Sequence, residues 1–583
     1  MDRIKYSLVG NVKDTITFVL EKQLKNRTYW KKFTEVFITK EDIRDEGWRG
    51  EYFGKLMRGA CMIYALTQDE ELYSILTDSV RDLLCAQDEW GRFSTYPIDQ
   101  EFCGWDVWSR KYVMVGLEYY RSICKDEEFR KTILIALKKH ADYILSKIGN
   151  KEGQLSIMQT STWWGGIASC SILEPMVELY KITRDKRYLE FAEYILSTGG
   201  CKEGNLIEHA LKQDKMPYEY EEVKAYETMS FFEGVLAYYE VTGKREYLDA
   251  VQKFVDNVYE TDISIIGCAG CTHELFDNSK QKQTEYSDVI MQETCVTVTW
   301  MRLLARLHKV EPRMQYLEWI ENSALNALYG SINYNELQQY SIEKKKYVAP
   351  FAFDSYSPLY NNKRGRGIGG YKEFLSGGYY GCCIAIAAAG IALYPLEAVE
   401  FFDKEVVVNF FVNGTIEKTL GKDIVSVTMT TKYPSCDEII VKVNATIKDI
   451  RLKIRIPSYA NGATLNGVPL GIKDGYAQID NAECKDALSL NLHFTVKSES
   501  LNGKTAFTYG PYVLALDQAK GEWADFTKSY TLKNLDFKIL PCEKGEQVRF
   551  IASDEREFLF TDYASCGKNW LDDANITVWI KEK

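Results

Sequence analysis

Two short groups of cysteine and glutamate residues, far apart in the chain, could together bind a metal ion. Cys382 and Cys383 are adjacent, and Glu293 and Cys295 occur much earlier, separated by one threonine. One carboxylate and three thiols suit a tetrahedral Zn²⁺. A thiolate held on zinc stays deprotonated at neutral pH, so it can also act as a nucleophile. Because the chain has 15 cysteines, the same residues are also typical of buried, unreactive sulfurs.

Both groups are predicted to lie at the start of a helix. Glu293 and Cys295 precede the helical pattern of residues 296–305, and Cys382 and Cys383 precede the apolar run 384–393. The free N–H groups of a helix N-terminus favour anions and lower the pKa of a thiol. If the two helices belong to neighbouring helical hairpins, their first turns can converge on one metal ion.

Glu274 is the candidate general acid, because burial in its semi-apolar surroundings would raise the pKa of the carboxyl. An ordinary surface glutamate is the alternative interpretation. The neighbouring His273 is interpreted as a structural residue or a substrate contact and not as a metal ligand, since four ligands are already present.

A loose repeat predicts the helical part of the chain. Tyr64, Tyr180 and Tyr239 each begin a similar sequence of an aromatic residue, a threonine and then a charged residue, and Tyr120 begins a weaker copy, with spacings of about sixty residues. That period suits two full-length helices with their connections. Residues 1–395 would then form about six helical hairpins, the number that closes an (α/α)6 barrel, although an open helical solenoid is also consistent.

From residue 396 the pattern changes to the period of two that is typical of strands, with Asn-Gly and Asp-Gly turns between them. We therefore expect a multidomain α+β protein. Its helical domain (1–395) would be followed by a β-sandwich domain (396–500) and a second β-rich domain (501–583), with the junction near Ser500 to Gly503.

The composition excludes several classes of partner. A net charge of −11 without a basic cluster argues against binding nucleic acid or an anionic membrane surface. The first thirty residues lack an apolar signal-peptide core, and no apolar stretch is long enough to span a bilayer. Together with an odd number of cysteines, this predicts a cytoplasmic protein. A homodimer is one assembly that the sequence allows.

With these motifs in place, the chain resembles glycoside hydrolase family 127, the β-L-arabinofuranosidase-like enzymes. The resemblance runs from Glu51-Tyr-Phe-Gly-Lys55 to Tyr509-Gly-Pro-Tyr-Val-Leu-Ala515, and includes Ile454-Arg-Ile-Pro-Ser458 and Asn466-Gly467. Its most specific marks are Glu293-Thr-Cys295 and Gly381-Cys-Cys383. The resemblance implies an (α/α)6 catalytic barrel followed by β-sandwich domains.

The resemblance also implies a zinc ion bound by Glu293, Cys295, Cys382 and Cys383, with Cys382 as the nucleophile and Glu274 as the acid/base. The expected activity is that of a zinc-dependent retaining exo-glycosidase on a β-L-arabinofuranoside-like sugar. A small oligosaccharide or glycoside is the expected substrate.

Where family members use histidines to hold the sugar hydroxyls, this chain has Lys111, Ser169 and Lys224. Ammonium groups at these positions favour a related, acidic sugar, because they can pair with a carboxylate. Trp105, close to Lys111 in the sequence, is a further candidate substrate contact. Solvated lysines beside the pocket are the alternative.

Two other functions are consistent with the sequence. One is a non-catalytic glycan-binding or scaffold protein that keeps zinc for stability, because four protein ligands close a zinc site. The intact candidate acid at Glu274 favours the enzyme. The other is an epimerase or lyase, which needs a His or Tyr base and ranks last because the chain has only five histidines.

Overall fold

The computed structural model describes residues 4–44, 46–161, 163–270, 272, 274–285, 292–341, 344–357, 359–362, 367–521, 524–525, 527–532, 535–553, 556–568 and 574–583. A helical domain is followed by β-rich domains, as the sequence predicts. The candidate contact His273 lies outside the described residues. Within the described part of the chain, no helix is both long and apolar enough to cross a membrane.

Sixteen α-helices are present in the described residues, and nearly all belong to the first two thirds of the chain. They are α1 (Asn11–Val19), α2 (Arg27–Thr39), α3 (Gly50–Thr67), α4 (Glu70–Cys85), α5 (Asp106–Ile123), α6 (Glu127–Lys147), α7 (Ile167–Cys170), α8 (Leu173–Thr183), α9 (Lys186–Ser197), α10 (Leu206–Lys212), α11 (Ala225–Thr242), α12 (Arg245–Thr261), α13 (Ser279–Lys282), α14 (Thr294–Val310), α15 (Met314–Asn322) and α16 (Cys382–Leu396). Two π-helical segments (Leu20–Leu24 and Ser323–Leu328) extend α1 and α15.

Six of these helices form a closed ring. The helices α3, α5, α8, α11, α14 and α16 each pack against the next, and α16 packs back against α3. An outer helix follows each of the first five and packs against it: α4, α6, α9, α12 and α15. The ring helices are buried on nearly every side, whereas the outer helices bury one face, as expected for two concentric layers.

Glycines allow the ring helices to approach one another closely. A Cβ atom on Gly54 of α3 would lie only 1.7 Å from the carbonyl oxygen of Tyr112 on α5. A Cβ atom on Gly59, further along α3, would lie 2.7 Å from the backbone nitrogen of Ala389 on α16. Any larger residue would force the backbones apart, so these positions set the width of the ring.

The repeated turn that the sequence predicts is present between ring and outer helices. The helices α3, α8 and α11 end at Thr67, Thr183 and Thr242. Asp69 then caps α4 by accepting the N–H of Leu72 at 2.8 Å, and Asp185 caps α9 in the same way. A side-chain oxygen at the N-cap pairs one of the free N–H groups of the first turn, which explains why an aspartate follows the threonine.

The strands form three larger sheets, all mainly antiparallel. The strand order of the first sheet is Ile4–Leu8, Gly414–Leu420, Asp423–Thr431, Glu438–Ala445, Leu488–Asn491, Thr464–Leu465 and Val468–Pro469. The strand order of the second sheet is Val399–Phe401, Glu405–Val408, Arg451–Arg455, Tyr476–Ile479 and Ile472–Lys473. The strand order of the third sheet is Val496–Leu501, Lys504–Tyr509, Tyr512–Asp517, Glu557–Asp562, Arg549–Ser553 and Asp536–Ile539, and three short strands, Ile576–Thr577, Ile580–Lys581 and Tyr360–Asn362, are attached to it.

Shorter strands lie just before α14 and between α15 and α16. Gln292–Glu293 pairs with Tyr356–Ser357, Gln339–Ser341 pairs with Lys346–Val348 and Gly367–Ile368, and Tyr371–Glu373 pairs with Tyr379–Gly381. These strands hold the segments that lead into α14 and α16.

The sheets depart from the predicted domain boundaries at two places. Residues 502 and 503 form the turn of a hairpin whose strands, Val496–Leu501 and Lys504–Tyr509, both belong to the third sheet. The predicted junction near Ser500 to Gly503 is therefore wrong, because its Asn-Gly turn connects two paired strands. At the other end, Ile4–Leu8 pairs with Gly414–Leu420, so the first residues of the chain belong to a β-sheet and not to the helical domain.

Candidate active site

The four residues of the two sequence motifs meet at one end of the helical ring. One ligand atom from each of Glu293, Cys295, Cys382 and Cys383 lies within 4.8 Å of the other three, and all four residues are buried. The Sγ atom of Cys383 is 2.9 Å from Oε1 of Glu293, and the two neighbouring Sγ atoms are 3.9 Å apart. Folding thus brings together residues that are far apart in sequence.

The local structure explains this convergence. Glu293 ends a short strand and immediately precedes α14, whose second residue is Cys295. Cys382 and Cys383 are the first two residues of α16, after the N-cap Gly381. Because α14 and α16 are neighbours in the ring, their first turns lie side by side. The predicted placement at two helix N-termini is confirmed.

Cys382 is the most accessible of the three sulfur-bearing residues. It is 9% exposed, against 1% for Cys383 and 0% for Cys295. Gly370 lies beside it, and a Cβ atom there would come within 2.8 Å of the Cys382 Sγ atom. The absence of a side chain at this position leaves room next to that sulfur.

The three thiols differ in acidity. Hydrogen bonds from the thiols of Cys295 and Cys383 lower the pKa of Cys382 well below its ordinary value, although burial opposes this. Burial raises the pKa values of Cys295 and Cys383. The cluster therefore favours one thiolate, on Cys382, the most exposed of the three cysteines.

A buried ion pair on α3 borders the cluster. The Nζ atom of Lys55 is 3.8 Å from the Sγ atom of Cys295 and 3.1 Å from the carboxylate of Glu51. Trp108 donates its indole N–H to Glu51, and the ring of Tyr226 lies 4.4 Å from the Lys55 Nζ atom. The ammonium group of Lys55 thus supplies positive charge next to the thiols.

Glu274 forms an ion pair with Lys224, which occupies the N-cap position of α11. The side chain of Glu274 is 21% exposed, whereas Glu293 and Glu227 are buried. Burial lowers the pKa of Lys224, but the carboxylates of Glu227, Glu274 and Glu293 outweigh that effect and raise it above its ordinary value. The backbone also fixes the pair, because the Ala225 N–H donates to the Glu274 carbonyl oxygen at 2.7 Å.

Glu227 gives this part of the molecule a testable pH dependence. Burial raises the pKa of Glu227 to about 7 from an ordinary 4.5, and only Lys224 and a few weaker contacts oppose it. The folded protein therefore keeps a proton that the unfolded chain loses near pH 4.5, so stability falls as the pH rises from 4.5 to 7. Replacing Glu227 with glutamine should remove that fall. The free energy of unfolding of the Glu227→Gln variant should therefore increase relative to that of the parent protein between pH 5 and pH 8, by about 3 kcal/mol at most.

Urea denaturation at the two pH values checks this prediction. The matched control is Glu260→Gln on α12, because Glu260 is exposed. A constant difference between the Glu227→Gln variant and the parent protein at both pH values would contradict the explanation.

The remaining sequence candidates occupy different positions. Trp105 is half-buried just before α5 and packs edge-on against Trp48 and Trp108. Trp48 in turn donates its indole N–H to the carbonyl oxygen of Gly370 at 3.0 Å, which places this aromatic group next to Cys382. Lys111 is fully buried inside the ring, where Ser169, on α7, is also buried.

Sequence reasoning missed Glu51, Lys55 and Glu227. The available signal was their position, since Glu51 and Lys55 are one helical turn apart within a helix whose only other charged residue is Arg58. Charged residues on the buried face of a helix are rarely without a specific role.

Comparisons with known proteins agree with this architecture. A family model described as the β-L-arabinofuranosidase GH127 catalytic domain matches residues 11–363, and a second one, for the GH127 middle domain, matches residues 405–496. Both describe parts of glycoside hydrolases. The chain belongs to glycoside hydrolase family 127, as the sequence motifs suggest.

Individual relatives are distant. A non-reducing end β-L-arabinofuranosidase from Bifidobacterium longum subsp. longum is 21% identical over 423 residues, which are 65% of this chain and 61% of that protein. A GH127 β-L-arabinofuranosidase from Geobacillus stearothermophilus T6 has a similar structure, with a TM-score of 0.74, 17% identity and coverage of 99% and 100% of the two chains. The structure of a further GH127 β-arabinofuranosidase has a TM-score of 0.73 and 16% identity, with coverage of 98% of this chain and 94% of that chain. At these identities the structures show the shared fold.

Proposed function

We propose that the protein is a zinc-dependent retaining exo-glycosidase that removes a terminal β-L-arabinofuranosyl group, or a related sugar, from a small glycoside. The observation that carries the proposal is the buried cluster of Glu293, Cys295, Cys382 and Cys383 at one end of the helical ring. The family membership of the chain supports the reaction class, and the β-L-arabinofuranosidase activity of its relatives supports the sugar.

The donor set fits a zinc ion. In a tetrahedral site with Zn–S bonds of about 2.3 Å, two sulfur ligands lie about 3.8 Å apart, close to the 3.9 Å between Cys382 and Cys383. The Oε2 atom of Glu293 is buried and has no hydrogen-bond partner among the described residues, so a carboxylate oxygen is available for a metal ion. When bound, zinc would keep the thiols ionised and offset the negative charge of the cluster.

Cys382 is the proposed nucleophile. Cys382 is the most exposed of the three cysteines and the one whose thiol pKa is lowered. In the first step, the thiolate forms a bond to the anomeric carbon of the sugar while the bond from that carbon to the departing oxygen breaks. The departing oxygen must receive a proton, and the sugar remains attached to Cys382 as a thioether.

Glu274 is the proposed source of that proton. Among the carboxylates beside the cluster it is the one with a partly exposed side chain, so it can contact both substrate and water. In the second step, the ionised Glu274 removes a proton from water. The oxygen of that water bonds to the anomeric carbon, the carbon–sulfur bond breaks, and the configuration is retained.

Lys224 is proposed to position Glu274. Its ammonium group pairs directly with the Glu274 carboxylate, so it is already partly neutralised and is a weaker candidate for a substrate carboxylate than the sequence suggests. Lys111 keeps that role in the proposal, because its Nζ atom has no hydrogen-bond partner among the described residues. An acidic sugar thus remains a candidate beside L-arabinofuranose.

The scaffold of the proposal is an (α/α)6 barrel followed by β-sandwich domains. The closed ring of six helices with outer partners supports the barrel. The first and second sheets bury alternate residues in one common apolar core, which supports a sandwich.

Metal analysis of the Cys383→Ser variant tests the proposal. The purified parent protein should contain about one zinc per chain, and the variant should retain well under half of that after dialysis, with activity falling in proportion to zinc. Cys170→Ser is the matched control, because Cys170 is buried but lies outside the cluster. Full zinc content without hydrolysis of any pentofuranoside or acidic glycoside would favour a non-catalytic glycan-binding protein instead.

A further inference from the structure

A second polar layer lies inside the helical ring, one helical turn below the thiol cluster. Arg58 follows Lys55 by three residues on α3, and Thr299 follows Cys295 by four residues on α14. Ser230 follows Glu227 by three residues on α11. Residues three or four apart share a helix face, so these side chains, together with Lys111 on α5, point into the ring at a common level. We call Arg58, Lys111, Ser230 and Thr299 the inner layer.

The inner layer is fully buried and its polar groups are unpaired. Arg58 is 1% exposed and Lys111 is 0% exposed. Within the described part of the chain, the three side-chain nitrogens of Arg58, the Nζ atom of Lys111 and the hydroxyls of Ser230 and Thr299 have no hydrogen-bond partner. No carboxylate of the described residues comes within ion-pairing distance, 4.0 Å, of either cation. Both cations lie near the Tyr112 ring, at 5.9 and 5.2 Å from its centre.

The carboxylates nearest to this layer are already paired. Glu233 and Glu174 accept hydrogen bonds from Arg302 on α14, and their oxygens lie 2.9 and 3.2 Å from its guanidinium nitrogens. Glu174 also lies 3.7 Å from Arg306. Among the described residues, the interior at this level therefore holds two cations, Arg58 and Lys111, that no carboxylate pairs directly. A buried charge without a paired partner is strongly unfavourable, so an anion bound between these two cations would stabilise the arrangement.

We propose that the inner layer is a binding site for a small monovalent anion, a carboxylate or a halide, held by Arg58 and Lys111. All of its free groups can donate: a guanidinium, an ammonium and two hydroxyls. A planar guanidinium beside an ammonium suits a carboxylate in particular. The layer combines two unpaired cations with two unpaired hydroxyls that can donate, which is what an anion needs.

Two sources can supply this anion, and each has its own route. A carboxylate carried by a bound sugar would enter from the thiol cluster, directly above the layer, and this source rests on the proposed glycosidase function. A free halide or formate ion would enter from the opposite end. There a cavity of about 490 Å³ is lined by Glu174, Glu233 and Arg302.

Thermal unfolding of the zinc-loaded protein tests the proposal independently of catalysis. Sodium chloride, bromide and formate should raise Tm with saturation, beyond the effect of sodium gluconate at equal ionic strength, because gluconate is too bulky for the layer. Arg58→Met and Lys111→Met should abolish the saturable shift. Lys131→Met, at an exposed position on α6, is the matched control and should retain it.

A crystal soaked in bromide gives a second measurement that does not depend on the variants. An anomalous peak between Arg58 and Lys111 supports the free-anion source. The alternative source is supported if an acidic monosaccharide raises the Tm of the parent protein. In that case its apparent Kd should increase at least tenfold in Lys111→Met, while the apparent Kd of neutral arabinose is unchanged, and the anion comes from the sugar. The proposal is overturned if none of these ligands gives a saturable shift in Tm and no bromide peak is present. This holds whatever the zinc content and activity of the protein.

Discussion

Replacing Cys382 with alanine is expected to lower kcat/KM for a nitrophenyl β-L-arabinofuranoside by at least ~10⁴-fold, the scale of loss when a covalent nucleophile is removed. The reason is that, in the proposed mechanism, the Cys382 thiolate forms the bond to the anomeric carbon. The other three members of the cluster cannot readily replace it, because Cys383, Cys295 and Glu293 are almost fully buried. Initial rates should be measured with zinc in excess, so that the loss of one metal ligand is not limiting.

Two further variants show whether Cys382 acts as the nucleophile or only as a zinc ligand. Cys383→Ala should lose activity as purified but recover part of it in excess zinc, because three donors remain. Cys61→Ala should be fully active, since Cys61 is a buried thiol of α3 away from the cluster, with a pKa that burial raises well above its ordinary value. If Cys382→Ala recovers in excess zinc as Cys383→Ala does, Cys382 is a ligand and not the nucleophile.

Replacing Glu274 with alanine is expected to lower kcat/KM by ~10²–10⁴-fold on alkyl glycosides, the usual contribution of a general acid. The loss should be much smaller on dinitrophenyl glycosides, whose leaving group needs no proton. Added azide should then raise kcat and yield a glycosyl azide of retained configuration, because azide attacks the thioether without a general base.

The Glu260→Ala variant is the control for this comparison, since Glu260 is exposed on α12. It should behave as the parent protein on both kinds of substrate. An equal loss for alkyl and dinitrophenyl glycosides in Glu274→Ala, without an effect of azide, would show that Glu274 only supports the structure around Lys224.

The sequence was sufficient to predict each half of the cluster of Glu293, Cys295, Cys382 and Cys383, because the information for each half is local. Each half of the cluster lies at the junction of a turn and a strongly periodic helix, so both helix N-termini could be placed from the sequence. Repeated turns such as the one ending at Thr67 predicted the helical hairpins for the same reason. What the sequence did not specify was which helices would be neighbours, because the repeat alone is consistent with both a closed ring and an open solenoid.

Pairings between distant residues could not be predicted in this way. The contact of Lys55 with Cys295 depends on how neighbouring helices are rotated about their axes. The ion pair of Lys224 with Glu274 depends on the isolated β-bridge between Lys224 and Leu275. A change of one residue in register would separate them. The unpaired state of Arg58 has no sequence signal at all, because it is defined by the carboxylates that fail to reach it.

The β-region shows a different limit. An Asn-Gly pair such as 502–503 marks a turn equally well within a sheet or between domains, and only the register of the two strands distinguishes these cases. The pairing of Ile4–Leu8 with Gly414–Leu420 joins segments more than 400 residues apart in the sequence. The alternating pattern of a strand contains no information about its partner.

Mass spectrometry of the covalent intermediate tests the central claim most directly. The Glu274→Ala variant, loaded with zinc, would be mixed with a dinitrophenyl β-L-arabinofuranoside, quenched in acid and digested. We expect the peptide that contains Cys382 to gain the mass of one sugar residue, attached through sulfur, and to lose it when azide is added before the quench. A sugar found on a carboxylate instead, or steady turnover with no adduct at any time point, would contradict the account.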